Sequence, residues 1–170
     1  MTHGATGTST VITPNTTIDQ RTEMTLGGTQ LVMFPSGDSH SPGDLLLWLP
    51  QEKVLLSGDV VYSDRMPSTH ASNLPQWISM LGELEKMQPV VVVPGHGKVT
   101  DLSGIKRLRR LLSDFWNAVE LQYQQGKSDY EMVQDVSAAL ASYRDLYPGL
   151  DEKIKRDISH VYLQVEAAAF

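Results

Sequence analysis

Apolar positions along this chain follow two periods and several unbroken runs, and each pattern predicts a different element. Around Gly27-Gly28, the segments Glu23–Leu26 and Thr29–Phe34 read as a hairpin, because a Gly-Gly pair supplies the positive φ angles of a two-residue turn. Leu45 to Leu49 is a continuous apolar run, and with Lys53–Leu56 it predicts a second hairpin around Pro50-Gln51-Glu52. A strand that does not alternate is expected to be covered on both faces. Ser57-Gly58-Asp59 is expected to break the next strand, which Val60-Val61-Tyr62 briefly resumes before a loop over 63–73. Val90 to Val93, four β-branched residues closed by Pro94-Gly95, predict a buried strand with a sharp end.

Helical spacing governs the rest. Asn73 is placed to cap a helix with Pro75 in its first turn, and Trp77, Ile78, Leu81, Leu84 and Met87 form its apolar stripe. Residues 54–93 therefore predict a strand–helix–strand crossover. Ile105, Leu108, Leu112, Phe115, Val119 and Tyr123 mark a long helix ending near Gly126. Ser128-Asp129-Tyr130-Glu131 is a capping box for a helix through Met132, Val133, Val136, Leu140 and Tyr143, which Pro148-Gly149 stops. Asp151 opens a last helix with Ile154, Ile158, Val161 and Val165 inside. The chain reads as a single domain over 1–170: a loose leader over 1–20, an α/β core over 21–125 and a helical pair over 126–170. A short β-prone piece, Thr10–Thr13, lies within the leader.

Composition narrows the function. With 170 residues, 41% hydrophobic and 20% charged, the chain has the make-up of a globular domain. A net charge of −6 argues against nucleic acid as a partner, and the basic cluster Lys106–Arg110 reads as a solvated helix face. No window approaches the ~18 consecutive apolar residues of a membrane span, and Met1–Thr10 has no apolar signal-peptide core. The expectation is a soluble chain of unassigned compartment whose partner, if it is active, is a small-molecule substrate. Without cysteine, any metal must be held by histidine and carboxylate.

Three such side chains follow apolar runs in order: His40 on the Ser39–Asp44 turn, Asp59 after Ser57-Gly58, and His96 after Pro94-Gly95. Loops at strand ends deliver metal ligands well, because the strands fix their roots while the tips stay exposed. Neighbouring glycines permit tight turns close to an ion. Asp44 is expected to anchor the His40 turn, and His70 is a lesser candidate for substrate contact or stray ligation. Trp48, Trp77 and Trp116 read as core. His160 reads as structural or surface, and His3 as part of the leader. Ser36, Ser39 and Ser41 lack a G-x-S-x-G elbow, which argues against a Ser–His hydrolase.

The segments His40-Ser41-Pro42-Gly43-Asp44, Ser57-Gly58-Asp59 and Pro94-Gly95-His96-Gly97 resemble the later metal-binding motifs of the metallo-β-lactamase superfamily, over roughly residues 23–165. Trp48-Leu49-Pro50 and the helical tail are similar to its stand-alone hydrolases of the sulfur-oxidation and quinoprotein-associated type. The resemblance implies that His40 and His96 ligate metal and that Asp59 bridges two zinc-type ions and is catalytic. Metal-activated water would then attack an ester, thioester or amide carbonyl. It also implies an α/β fold, the C-terminal half of an αββα sandwich, with a mixed sheet flanked by helices.

The family's His-x-His-x-Asp-His motif is absent, since the five histidines stand at 3, 40, 70, 96 and 160. One ion or none is therefore expected, with weak or no activity for the chain alone. The absence of that motif also leads us to read the chain as truncated, unless a partner chain or preceding residues supply the missing donors. An uncovered apolar sheet face would favour a homodimer or swapped assembly. The alternative is an inactive remnant serving as a dimerisation or binding module.

Overall fold

A computed structural model describes residues 12–170. His3 and the start of the Thr10–Thr13 piece lie outside the described residues. Five strands form one sheet in sequence order: β1 (Thr22–Leu26), β2 (Thr29–Pro35), β3 (Leu45–Leu49), β4 (Val54–Tyr62) and β5 (Val91–His96). The first three pairings are antiparallel and β4–β5 is parallel. Gly27 and Gly28 turn the first hairpin at φ of 56° and 86°, as the Gly-Gly pair requires. Helix α1 (Leu74–Lys86) makes the crossover between the parallel strands. Asn73 Oδ1 accepts from Gln76 N at 3.1 Å to cap it, one position ahead of Leu74-Pro75.

Strand β4 runs through Ser57-Gly58-Asp59 instead of ending there. Its pairing with β5 shifts register on either side of Gly58, so the expected break is an irregularity inside one strand. Helix α2 (Leu102–Gln124) ends just before Gly126. Half of the capping box forms: Ser128 N and Oγ donate to Glu131 Oε2 at 2.9 and 2.6 Å, while Glu131 N donates to Ser128 O rather than to its hydroxyl. The helix itself, α3, covers only Val133–Ala139, and a 3-10 turn over Ala141–Tyr143 replaces its expected continuation. Helix α4 (Leu150–Ala168) buries Ile154, Ile158, Val161 and Val165 as its stripe predicts.

One hydrophobic cluster joins the sheet to all four helices, from Leu46, Trp48, Leu55 and Val92 through Trp77 and Phe115 to Val136 and Val165. The helices cover a single face of the sheet. On the other, the register aligns Met33, Leu47, Leu56 and Val93 in one row across four strands. Leu56, Val93 and nearby Leu45 and Met24 are at least a third exposed. The expectation that Leu45–Leu49 would be covered on both sides is thus corrected: Leu46 and Trp48 are buried, while Leu45 is exposed and Leu47 and Leu49 are half-buried. The valine strand follows the same rule, with Val92 buried and Val90 exposed. Among the described residues, no helix is long and apolar enough to cross a membrane.

Candidate metal centre

The three predicted ligands arise at one end of the sheet. His40 sits on the loop between β2 and β3, Asp59 inside the far half of β4, and His96 at the last position of β5. The loop closes because Ser36 N donates to Asp44 O at 2.9 Å and Asp44 Oδ2 accepts from Ser41 N at 2.9 Å and from Ser41 Oγ at 3.1 Å. Gly43 at φ 90° makes the turn that brings the carboxylate back. His40 Nδ1 then lies 3.3 Å from Asp44 Oδ2, within ion-pair range, yet its orientation leaves this buried nitrogen without a hydrogen bond. Trp77 presses edge-on against the ring at 5.0 Å, and its own Nε1 donates to Val60 O at 2.8 Å. The imidazole is thereby held with Nε2 turned away from Asp44.

On the strands, Asp59 Oδ1 faces His96 Nε2 at 3.6 Å, and both side chains are more than a third exposed. Gly95 makes this approach feasible, because a Cβ there would run into the Asp59 carboxylate and the Gly58–Asp59 backbone. Gly97, at φ 93°, passes equally close to Ser63, whose N–H donates to His96 O at 3.0 Å. Small residues on both sides of His96 thus let β5 and the segment after β4 pack closely.

Tyr62 connects the two parts, a residue that the motif reading did not single out. Register places it opposite His96, with ring centroids 4.9 Å apart. Its hydroxyl lies 3.4 Å from His40 Nε2. Burial pushes its phenol up to about 12, and the neighbouring Asp59 carboxylate adds to the rise. Asp59 and His96 therefore come together directly, and His40 lies beside them across Tyr62, whose hydroxyl faces His40 and whose ring packs against His96. Among the described residues, no three histidine, cysteine or acidic side chains gather as a metal-holding group by themselves. The donor kinds suit one divalent ion, and the glycine-cradled carboxylate facing an imidazole fits such a role.

The remaining candidates lie around this centre. Asp44 is the anchor of the His40 turn. His70 sits on the loop after β4, where Nδ1 contacts Ser68 Oγ at 2.5 Å. That loop is tied to α4: Asp157, buried, accepts from Thr69 N at 2.7 Å and Ser68 Oγ at 3.1 Å, and His160 Nε2 contacts Ser72 O at 2.9 Å. Burial pushes the Asp157 carboxyl up, but Arg156 and these donors together bring it below its ordinary value. The basic cluster on α2 contributes Arg109, which pairs with Glu85 of α1 at 2.7 Å. A groove of about 510 Å³ runs along that seam and holds no convergent catalytic group.

Comparison with known proteins adds scale to this picture. The family model described as the metallo-beta-lactamase superfamily matches residues 3–96. By sequence, the chain is 26% identical over 171 residues to a linear primary-alkylsulfatase from Pseudomonas sp. (strain ATCC 19151), covering 92% of this chain and 32% of that protein. It thus spans about a third of that relative's length. In fold it is similar to the stereoselective inverting sec-alkylsulfatase Pisa1 from Pseudomonas sp., with a TM-score of 0.69 at 20% identity over 91% of this chain and 27% of the other. A metallo-beta-lactamase from Pontibacter korlensis gives a TM-score of 0.55 at 29% identity, covering 60% of this chain and 50% of that one.

Proposed function

The chain belongs to the metallo-β-lactamase superfamily, and from that premise we propose that it carries a one-ion, zinc-type corner of a metal-dependent hydrolase. His40, Asp59 and His96 would hold the ion. The observation that carries this reading is the Asp59–His96 pair, a half-exposed carboxylate facing an imidazole across adjacent strand ends. A divalent metal bound there supplies Lewis-acid polarisation of the scissile group and of water. The chain's own residues supply order. Asp44 and Trp77 flank the His40 ring, and Gly95 lets Asp59 reach the centre.

The His-x-His-x-Asp-His donors that the family uses are not present in the sequence, which contains no His-x-His. We therefore place a dinuclear centre, if one assembles, at the junction of this chain with a further segment or partner. The two alkylsulfatases match across nine-tenths of the chain, helical tail included, and this supports a sulfate ester as the first substrate class to assay. The test is hydrolysis of an alkyl sulfate, an aryl ester and a β-lactam by the zinc-loaded chain, against a chelated sample and Asp59→Ala. Slow turnover that needs zinc and Asp59 supports the reading, whereas turnover indifferent to both contradicts it.

The open sheet face favours a second reading, a module that pairs with its own copy. Its row of Met33, Leu47, Leu56 and Val93 is apolar and carries no charge, which supports pairing with a like surface. Dimer formation with metal binding but no turnover would support this second reading.

A further inference from the structure

We propose that β1, the open edge of the sheet, pairs edge to edge with β1 of a second copy of this chain, antiparallel and centred on Met24. This contact uses a different surface from the open sheet face and needs no metal, so it goes beyond both readings above.

The two edges of the sheet are unlike. Outside β5, Thr100 closes the ladder: Val92 N donates to Thr100 O at 2.8 Å, and Thr100 N donates to Val92 O at 2.9 Å. Outside β1, no strand lies among the described residues. Open edges are ordinarily protected by a bulge, a proline or a lysine. Strand β1 has none of these: its register with β2 is unbroken over Thr22–Leu26, and its sequence is Thr-Glu-Met-Thr-Leu. Every side chain after Thr22 is exposed, Met24 at 41% and Leu26 at 65%. A regular strand that buries so little against its own chain is a template for another.

Hairpin geometry fixes which backbone groups are available. Gly27-Gly28 is a two-residue turn, so Leu26 and Thr29 form a hydrogen-bonded pair, as do Met24 with Leu31 and Thr22 with Met33. The N–H and C=O groups of Glu23 and Thr25 therefore point outward. A two-fold axis through Met24 sets Glu23 opposite the partner's Thr25, and Thr25 opposite the partner's Glu23, so every outward group finds a complement. Met24 then meets its own counterpart, Leu26 meets the partner's Thr22, and no like charges stand opposite each other. Sliding the strands one way sets Glu23 against Glu23, and sliding them the other way sets it against the partner's Gly27 turn. The Met24 register alone pairs the whole strand. Arg21 Nε, 3.9 Å from Glu23 Oε1, compensates the strand's single acid. Because the pairing is two-fold, it closes with the second copy and does not propagate.

The chain contains no cysteine, so one introduced thiol reports the register. Met24 and its counterpart would form a non-hydrogen-bonded pair with Cα atoms about 4.5 Å apart, inside the disulfide range of about 4.4–6.8 Å. Leu26 is more exposed, yet it would stand about 14 Å along the strands from its counterpart, out of reach. Both thiols are introduced separately into the full chain carrying Leu56→Glu, which puts a charge on the open face, and each is oxidised at submillimolar concentration. Met24→Cys should form a disulfide-linked dimer at least about tenfold faster than Leu26→Cys. Adding Thr25→Pro, which removes an outward N–H and no bond to β2, should slow Met24→Cys to the rate of Leu26→Cys. Equal rates for the two thiols overturn the proposal, and so does faster linkage through Leu26→Cys. A Met24→Cys rate that Thr25→Pro leaves unchanged overturns it as well. None of these outcomes bears on pairing through the open face or on metal binding, which are measured separately on the wild-type chain.

Discussion

Asp157, buried on the last helix, accepts a 2.7 Å hydrogen bond from the backbone N–H of Thr69, 88 residues earlier in the chain. The helical tail therefore braces the loop that leaves the far end of β4, directly after Asp59 and Tyr62. His160 and Gln164 extend the brace, each meeting Ser72 O at 2.9 Å. Tail and candidate centre are mechanically one unit, in keeping with alkylsulfatase matches that run through both.

Replacing Asp157 with alanine leaves the Thr69 N–H unpaired in the interior. We expect a loss of about 2 kcal/mol in chemical denaturation, since hydrogen bonds to charged groups are worth about 1.5–3 kcal/mol. The pH dependence follows from the carboxyl's lowered folded value. Its stabilisation is fully present above the unfolded value of about 3.9 and is lost as pH falls through the folded one. Denaturation curves of wild type and Asp157→Ala should therefore converge in acid and stay apart near neutrality.

Gly95→Ala tests the approach of Asp59 to His96. The added Cβ would meet the Asp59 carboxylate and the neighbouring backbone, so the strands must separate or the carboxylate must turn. The expected result is an overpacking cost of about 1–3 kcal/mol, with zinc affinity at least tenfold weaker in chelator competition. Unchanged affinity would show that the pair's spacing is not what holds metal.

Among the described residues nothing covers the second face of the sheet, which predicts self-association. Light scattering at micromolar concentration should report a dimer, and Leu56→Glu, in the middle of the apolar row, should shift it to monomer. A wild-type chain that is a stable monomer would contradict this use of the face.

Asn73→Ala isolates a purely local contribution. The side chain caps α1 through Gln76 N, and its loss should cost about 1 kcal/mol without altering metal content.

Local chemistry made much of this fold legible. The Gly27-Gly28 turn, the Asn73 cap and the stripes of α1, α2 and α4 rest on interactions within a few residues, and each element appears where its pattern placed it. The capping box at Ser128 shows where local rules yield: Glu131 accepts from Ser128 N, but the helix waits until Val133. Periodicity pointed the wrong way at Leu45–Leu49, where cover on both faces is expected and only one face is buried, because an unbroken apolar run states that both faces are apolar and not what covers them. His40, Asp59 and His96 were visible as polar residues closing apolar runs. Tyr62 was not, because a tyrosine after Val60-Val61 reads as core. Its position opposite His96 depends on a register shift at Gly58, which no local pattern encodes.

Elemental analysis tests most directly whether His40, Asp59 and His96 hold one divalent ion. The full chain, loaded with zinc and dialysed, should retain one ion per chain by mass spectrometry, and Asp59→Ala should retain none. No bound zinc in the wild type, or two tightly held ions per chain, would contradict the account.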